Sequence, residues 1–301
     1  MSSRLAYRPS DMSEPRTLTL DVPGAVLSYD IRDAAGASDE PMLLMIGLPM
    51  AADGFGALAG HFPERTIVTY DPRGVGRSER TDGATQSNPE QHADDLHRLI
   101  SALDSRPVEI FGSSGGAVVG LALVSRHPEQ VRTLVAHEPP AAPVLPDRDE
   151  ALAAMEDIHA TYERDGFGPA MGKFLALTMH KGPIPADFPN QPPMDPAMFG
   201  LPTEDDGTRD DALLGQNIVG TTHYEHDFGA LREASTRIVI GAGAESEGEF
   251  ANRAAYAVAE RLGTEVVVFP SHHGGFVGGE SGWRGEPEAF AVTLHEVLAE
   301  S

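Results

Sequence analysis

The residue in this sequence best placed to do covalent chemistry is a serine framed by glycines. Gly112-Ser113-Ser114-Gly115-Gly116 has the spacing G-x-S-x-G, in which the central serine sits on a sharp strand-to-helix turn with its hydroxyl above the sheet. Glycines let the two arms of such a turn approach where a side chain would clash. Five residues alone are a weak motif, and an ordinary glycine-rich turn is the competing reading. The flanks favour the first: Val108, Ile110 and Phe111 supply a buried strand before the turn, and Ala117, Val118, Val119, Leu121, Ala122 and Leu123 a buried helix after it. A hydroxyl is a poor nucleophile until a base takes its proton, so Ser114 needs a histidine.

The elements that must position such a site follow from pattern. Thr17 to Val22 and Ala25 to Ile31 alternate apolar and polar residues around Pro23-Gly24, which predicts an antiparallel hairpin at a sheet edge. Met42 to Ile46 is an unbroken apolar run, the mark of a strand buried on both faces, ending at Gly47-Leu48-Pro49. A short helix over Phe55 to Phe62, a strand over Thr66 to Tyr70 and a rigid turn from Asp71 to Ser78 come next. Pro89 to Leu103 carries apolar residues at helical spacing with proline in its first turn.

Val131 to Ala136 reads as another strand, stopped by His137-Glu138-Pro139-Pro140. The next regular strand begins at Arg237. The long stretch between holds a helical part from Glu150 to Met179, an irregular Pro- and Met-rich part to about 198, and another helix from about Asp210. It is too structured for a loop and reads as a cap. Then follow a strand to Ile240, a helix over Glu249 to Leu262, a strand over Glu265 to Phe269 and a helix over Pro287 to Leu298. Strands alternating with helices mean an α/β sandwich with a mostly parallel sheet. The expected division is a core over 1–138 and 236–301, with a helical cap over 139–235; a loose lead-in occupies residues 1 to about 15.

Composition narrows the function. The chain has 301 residues, 41% of them hydrophobic, enough for a large core. With 22 basic and 46 acidic residues its formal charge is −24, which argues against nucleic acid or an anionic membrane as partner. Without cysteine there is no disulfide, thiolate nucleophile or cysteine metal site. No apolar run suits a signal peptide or a membrane span, so a soluble, cytoplasmic protein acting on a small molecule is expected. A homodimer is compatible with this reading.

The order of a strand ending in Gly47-Leu48-Pro49, then Asp71-x-Arg73-Gly74-x-Gly76-x-Ser78, the serine turn, and a late histidine resembles the α/β-hydrolase fold family over about residues 17 to 138 and 236 to 300. The family's chain order is Ser, then Asp or Glu, then His. The resemblance places the base at His273, within Ser271-His272-His273-Gly274-Gly275-Phe276, and leaves His272 as a loop neighbour. Most relatives carry the acid after the strand that ends here at Ile240, but Ser246 stands where an aspartate is usual, with Glu245 and Glu247 beside it. The haloalkane-dehalogenase branch takes its acid from the end of the preceding strand, where this chain has Glu138. Glu138 is therefore the first candidate and Glu245 or Glu247 the second. A glutamate at the buried end of a central strand is costly unless paired. By the same resemblance the backbone N–H groups of Leu48 and Gly115 form the oxyanion hole, although Ile46 departs from the usual His-Gly opening of that loop. Asp71 to Ser78 is expected to be structural, with Arg73 paired to a carboxylate.

Other clusters have plainer readings. His223, Glu225 and His226 lack the further ligands a zinc site needs and are expected to be surface polar residues. Met155, Met171, Met179, Met194 and Met198 are expected in the core of the cap, where methionine also suits an adaptable apolar pocket. The resemblance implies a serine hydrolase, free of cofactor and metal, that cleaves a carboxylic ester, lactone or thioester of a small, partly apolar substrate through an acyl-enzyme. The alternatives are a cofactor-free perhydrolase or oxidoreductase on the same residues, and a non-catalytic ligand-binding member of the fold.

Overall fold

Apolar runs in this chain form strands whose two faces enter different cores. The structure, a computed structural model, describes residues 14–103, 106–279 and 284–300; the expected lead-in before residue 14 lies outside them. The strands are β1 (Arg16–Val22), β2 (Ala25–Arg32), β3 (Leu43–Ile46), β4 (Ile67–Tyr70), β5 (Glu79–Arg80), β6 (Val108–Ser113), β7 (Val131–His137), β8 (Arg237–Gly243) and β9 (Val266–Phe269). They join in the order β1-β2-β4-β3-β6-β7-β8-β9, with β5 paired to β2. β1, β4 and β5 run antiparallel to β2, and every pairing from β4 onward is parallel. The hairpin forms as its alternation predicts, whereas β5 lies just beyond the expected rigid turn.

In β3, Leu44 and Ile46 join one apolar cluster and Leu43 and Met45 another, so both faces are covered and no polar position is tolerated. The helices are α1 (Gly56–Ala59), α2 (Pro89–Ala102), α3 (Gly115–Arg126), α4 (Arg148–Asp165), α5 (Phe167–Thr178), α6 (Ile218–Thr222), α7 (Phe228–Glu233), α8 (Phe250–Leu262) and α9 (Pro287–Ala299), of which α1, α2, α3, α7, α8 and α9 share the clusters of the strands. α2 begins where Pro89 follows Asn88, whose side chain accepts the Gln91 N–H and so caps the first turn.

The insertion between β7 and β8 departs from its sequence reading in two places. The single helical part expected from Glu150 to Met179 is two helices, α4 and α5, broken at Gly166, whose φ of 85° an α-helix cannot accommodate. The helix expected from about Asp210 starts as a π-helix over Ala212–Asn217, with the Gln216 N–H reaching the carbonyl of Asp211 five residues back, and passes into α6. α4, α5 and this segment share an apolar cluster that includes Met155, Tyr162, Leu177 and Leu214. Phe228 and Leu231 of α7 instead join the cluster beneath the sheet.

Candidate active site

The turn after β6 is pinched as tightly as its glycines suggest. A Cβ on Gly116 would lie 2.3 Å from the carbonyl oxygen of Ile46, and one on Gly115 2.5 Å from that of Leu48. The loop after β3 therefore rests directly on the start of α3. Ser114 itself has φ 55° and ψ −124°, a conformation costly for any residue with a side chain. Its N–H donates to the His137 carbonyl at 2.9 Å, and its carbonyl receives the Ala117 N–H. Gly115 opens α3, so its N–H is among those that a helix start leaves without an intrahelical acceptor.

Ser114, Glu138 and Ser271 are the non-glycine residues with positive φ among those described. All three lie at the carboxyl end of the sheet, and two of them flank the elements that bring Glu138 and His273 together. Glu138 follows β7 directly and is fully buried. Its Oε2 lies 2.6 Å from Nδ1 of His273. Its Oε1 accepts from the Gly243 N–H at 2.8 Å, from Asn252 Nδ2 at 3.1 Å and from the Ser246 hydroxyl. Burial alone would raise the Glu138 carboxyl; the hydrogen bond from His273, the His273 and His137 rings and Ser246 outweigh it and hold it far below the usual carboxylate range. Burial would likewise lower His273, but Glu138, with a smaller contribution from Glu249, raises it above the ordinary imidazole value.

Two of these partners were missed by sequence reasoning. Ser246 was noted only as the absence of an aspartate, yet its hydroxyl grips the carboxylate that replaces it. Asn252 carried a fainter signal, a polar residue on the buried face of α8. Glu245 and Glu247, the second candidates for the acid, are exposed. His272 turns away from Glu138: its Nδ1 accepts the Gly274 N–H at 3.0 Å and its Nε2 lies 3.1 Å from the Arg284 carbonyl. Beside the pair, His137 is fully buried among Phe111, Phe269 and Phe290, and burial pushes it down to about 4, so it is neutral.

A cavity of about 470 Å³ lies between the carboxyl ends of the strands and the insertion. Leu48, Ser114, Gly115, Glu138 and His273 lie on its floor side, and Met155, Phe174, Leu213 and Ile218 are among its apolar walls. Asn217, at the end of the π-helix, also lines it and accepts at 2.9 Å from Nε2 of the buried His92 on α2. A second cavity of about 150 Å³ meets Ser114 and His273 and is walled by Met50 and Phe276.

The remaining expectations divide. Arg73 is buried and clamps Asp95 through Nε and Nη2 at 2.7 and 2.6 Å, a structural pairing as expected. His226 is not at the surface: it is buried beside Tyr224 and Phe228, because the chain turns inward there to seat α7. Met155 and Met171 are buried and Met194 is half-buried against the same cluster, whereas Met179, at the end of α5, and Met198, on the irregular segment that runs over the outside, are exposed. Among the described residues no group of three or more His, Asp or Glu is arranged to hold a metal ion. Likewise no helix among them is long and apolar enough to cross a membrane.

The sequence profile of the alpha/beta hydrolase fold family matches residues 40–279. The chain belongs to that family. It is 32% identical over 288 residues to the uncharacterised hydrolase YraK of Bacillus subtilis (strain 168), covering 93% of this chain and 95% of YraK. The fold also matches a thermophilic esterase from Thermogutta terrifontis with a TM-score of 0.63 and 19% identity, over 96% of this chain and 99% of that one. A third match is the enol-lactonase from Burkholderia xenovorans LB400, with a TM-score of 0.63 and 16% identity over 94% of this chain and 100% of that one. At these identities the two structures speak for the fold of this α/β hydrolase, not for its substrate.

Proposed function

We propose that this α/β hydrolase is a serine hydrolase that cleaves a carboxylic ester, lactone or thioester of a small, partly apolar substrate through an acyl-enzyme. The observation that carries the reading is the 2.6 Å contact between His273 Nδ1 and the buried Glu138, made at the wall of a cavity that Ser114 also lines. With Nδ1–H donated to Glu138, Nε2 is left as the base. Ser114 Oγ adds to the acyl carbon as its proton passes to Nε2, and the carbonyl oxygen, now negative, takes hydrogen bonds from the N–H groups of Leu48 and Gly115. The tetrahedral adduct collapses, the leaving alcohol or thiol takes the proton from Nε2, and water repeats the sequence on the acyl-serine. The reaction as written needs no cofactor.

An apolar chamber beside the nucleophile supports an ester with an apolar part; a serine rather than an aspartate at the turn disfavours dehalogenation. Reaction with a fluorophosphonate probe, followed by mass spectrometry of the modified peptide, tests the proposal. Labelling at Ser114, its loss in Ser114→Ala and retention in Ser113→Ala, with matching turnover of an activated short-chain ester, are expected. Peroxide-dependent oxidation without ester turnover, or no labelling at all, would overturn it.

A further inference from the structure

We infer that the substrate carries an ammonium group, held at the wall of the larger cavity by the carboxylate of Glu249. This rests on the acyl-enzyme reading above and adds to it the charge of the ester. The cavity of about 470 Å³ beside Ser114 is lined mostly by apolar side chains and by no Lys or Arg among the described residues, yet Glu138, Glu245 and Glu249 all line it. Both oxygens of Glu138 are engaged, and Glu245 is exposed to water. Glu249 is half-buried, and among the described residues its carboxylate has neither a hydrogen bond nor an ion pair.

Two local ways to satisfy Glu249 are passed over. It is the N-cap of α8, where a side-chain oxygen commonly turns back to accept an N–H of the first turn, but it makes no such bond. Its backbone pairs with that of Lys181 in an isolated bridge, but the exposed Lys181 ammonium makes no ion pair with it. Burial raises the Glu249 carboxyl; Lys181 opposes this, Glu138 adds to it, and His273 and His272 oppose it. A cation in the cavity supplies the partner that the protein leaves out. The other polar side chains of the wall are mostly spent on the protein itself: Asn217 on Ala212 and His92, Thr222 on the Ile218 carbonyl, Thr178 on the Leu175 carbonyl. Thr221 is different, because it is 6% exposed and its hydroxyl has no partner among the described residues. It is a second acceptor for an N–H. An ammonium offers three donors and a charge, whereas a methyl group of similar size offers neither.

Two pairs of esters that differ only in a terminal ammonium or methyl group test this by proton release: methyl 6-aminohexanoate against methyl heptanoate, and 6-aminohexyl acetate against heptyl acetate. In at least one pair kcat/KM should favour the ammonium ester about tenfold or more, the scale of one hydrogen bond to a charged group. Which pair shows it tells whether the cation sits on the acyl or the alcohol side. Glu249→Gln, or Glu249→Ala where the first does not fold, should cut that ratio about tenfold. The ratio cancels any effect of Glu249 on His273, which both esters meet alike. Glu247→Gln removes the same charge from an exposed position and should leave the ratio in place. The absence of an ammonium preference in both pairs overturns the inference, whether or not the variants fold. So does a folded Glu249 variant with an unchanged ratio, or a Glu247→Gln that lowers it as much, which would make the general field of this acidic protein the cause. Turnover of none of the four esters also overturns it; the acyl-enzyme reading falls with it only where fluorophosphonate fails to label Ser114 as well.

Discussion

Around Glu138 both carboxylate oxygens are engaged: Gly243, Ser246 and Asn252 hold one and His273 the other. The insertion lines the facing side of the cavity differently, mainly with methionine, phenylalanine and a π-helical turn; its polar ties to the sheet side, such as Arg253 to Asp147 and the Gly182 carbonyl, His92 to Asn217 and Ser87 to the Gln216 carbonyl, fix its position more than they shape those walls. A carboxylate that must hold one imidazole in one orientation gains from every donor around it. A surface that receives an apolar chain gains from loose shape and loses little from the absence of donors. The floor is thus specified by hydrogen bonds and the roof by packing, and changes on the two sides should fail in different ways: the first in turnover, the second in substrate affinity.

The sharpest separation is expected at the adjacent histidines. His273→Ala should reduce turnover by roughly 10⁴ to 10⁶, the scale seen when a base acting as a unit with its nucleophile is removed. His272→Ala should stay within a few-fold of the parent, since its ring nitrogens meet backbone groups and not Glu138. Rates for both variants on one activated ester, with circular dichroism as the control for folding, decide the assignment. Comparable losses in both would dissolve the contrast drawn around Glu138.

How much of this was legible in the sequence follows the same division. The sheet was readable because strands such as β3 are buried on both faces and leave an unbroken apolar run, and the serine turn because close backbone approach leaves glycines behind. Glu138 and His273 became candidates only through resemblance, since they stand 135 residues apart and meet in space alone. Ser246 and Asn252 were invisible as partners for that reason. In the insertion, the break at Gly166 lay within one continuous helical pattern, and the π-helical turn differs from an α-helix by a single step in its hydrogen bonds, too little to alter apolar spacing. His226 read as polar surface because burial of a lone histidine depends on which way a loop turns.

Glu138→Gln is the next largest effect. The amide can offer its NH₂ to Nδ1 and favour the wrong tautomer, a change that costs on the order of 10⁴ in the comparable aspartate-to-asparagine case. It should also move the pH dependence. Glu138 raises His273 above the ordinary value of about 6.5, so kcat/KM, which needs the neutral imidazole, falls on the acid side beginning above that pH. Removing the carboxylate should shift that limb to lower pH in whatever activity remains. Glu245→Gln and Glu247→Gln should cost less than a few-fold and leave the limb in place. Full pH–rate profiles of the three variants provide the check, and the opposite ranking would return the acid to the loop after β8.

The smallest effect tests the roof. Asn217 Nδ2 donates to the Ala212 carbonyl at 2.7 Å, which fixes its amide so that Oδ1 is the acceptor facing His92 Nε2. That bond joins α2, anchored in the core, to the last turn of the π-helix, where Asn217 lines the cavity. His92→Leu keeps the volume roughly constant and leaves Asn217 Oδ1 buried without its donor, a loss of about 1 to 3 kcal/mol that the π-helical turn can relieve by shifting. Such a shift moves a wall of the cavity of about 470 Å³ without touching Ser114, His273 or Glu138. KM for a long-chain ester should therefore rise about five- to tenfold while kcat stays within about twofold, and His92→Gln, which restores a donor, should recover much of the loss. Steady-state kinetics on a long and a short ester separate this from general destabilisation, which would lower the active fraction and scale kcat equally for both. A fall in kcat with KM unchanged would mean that this strut serves the floor as well, and that the two halves of the site are less independent than their construction suggests.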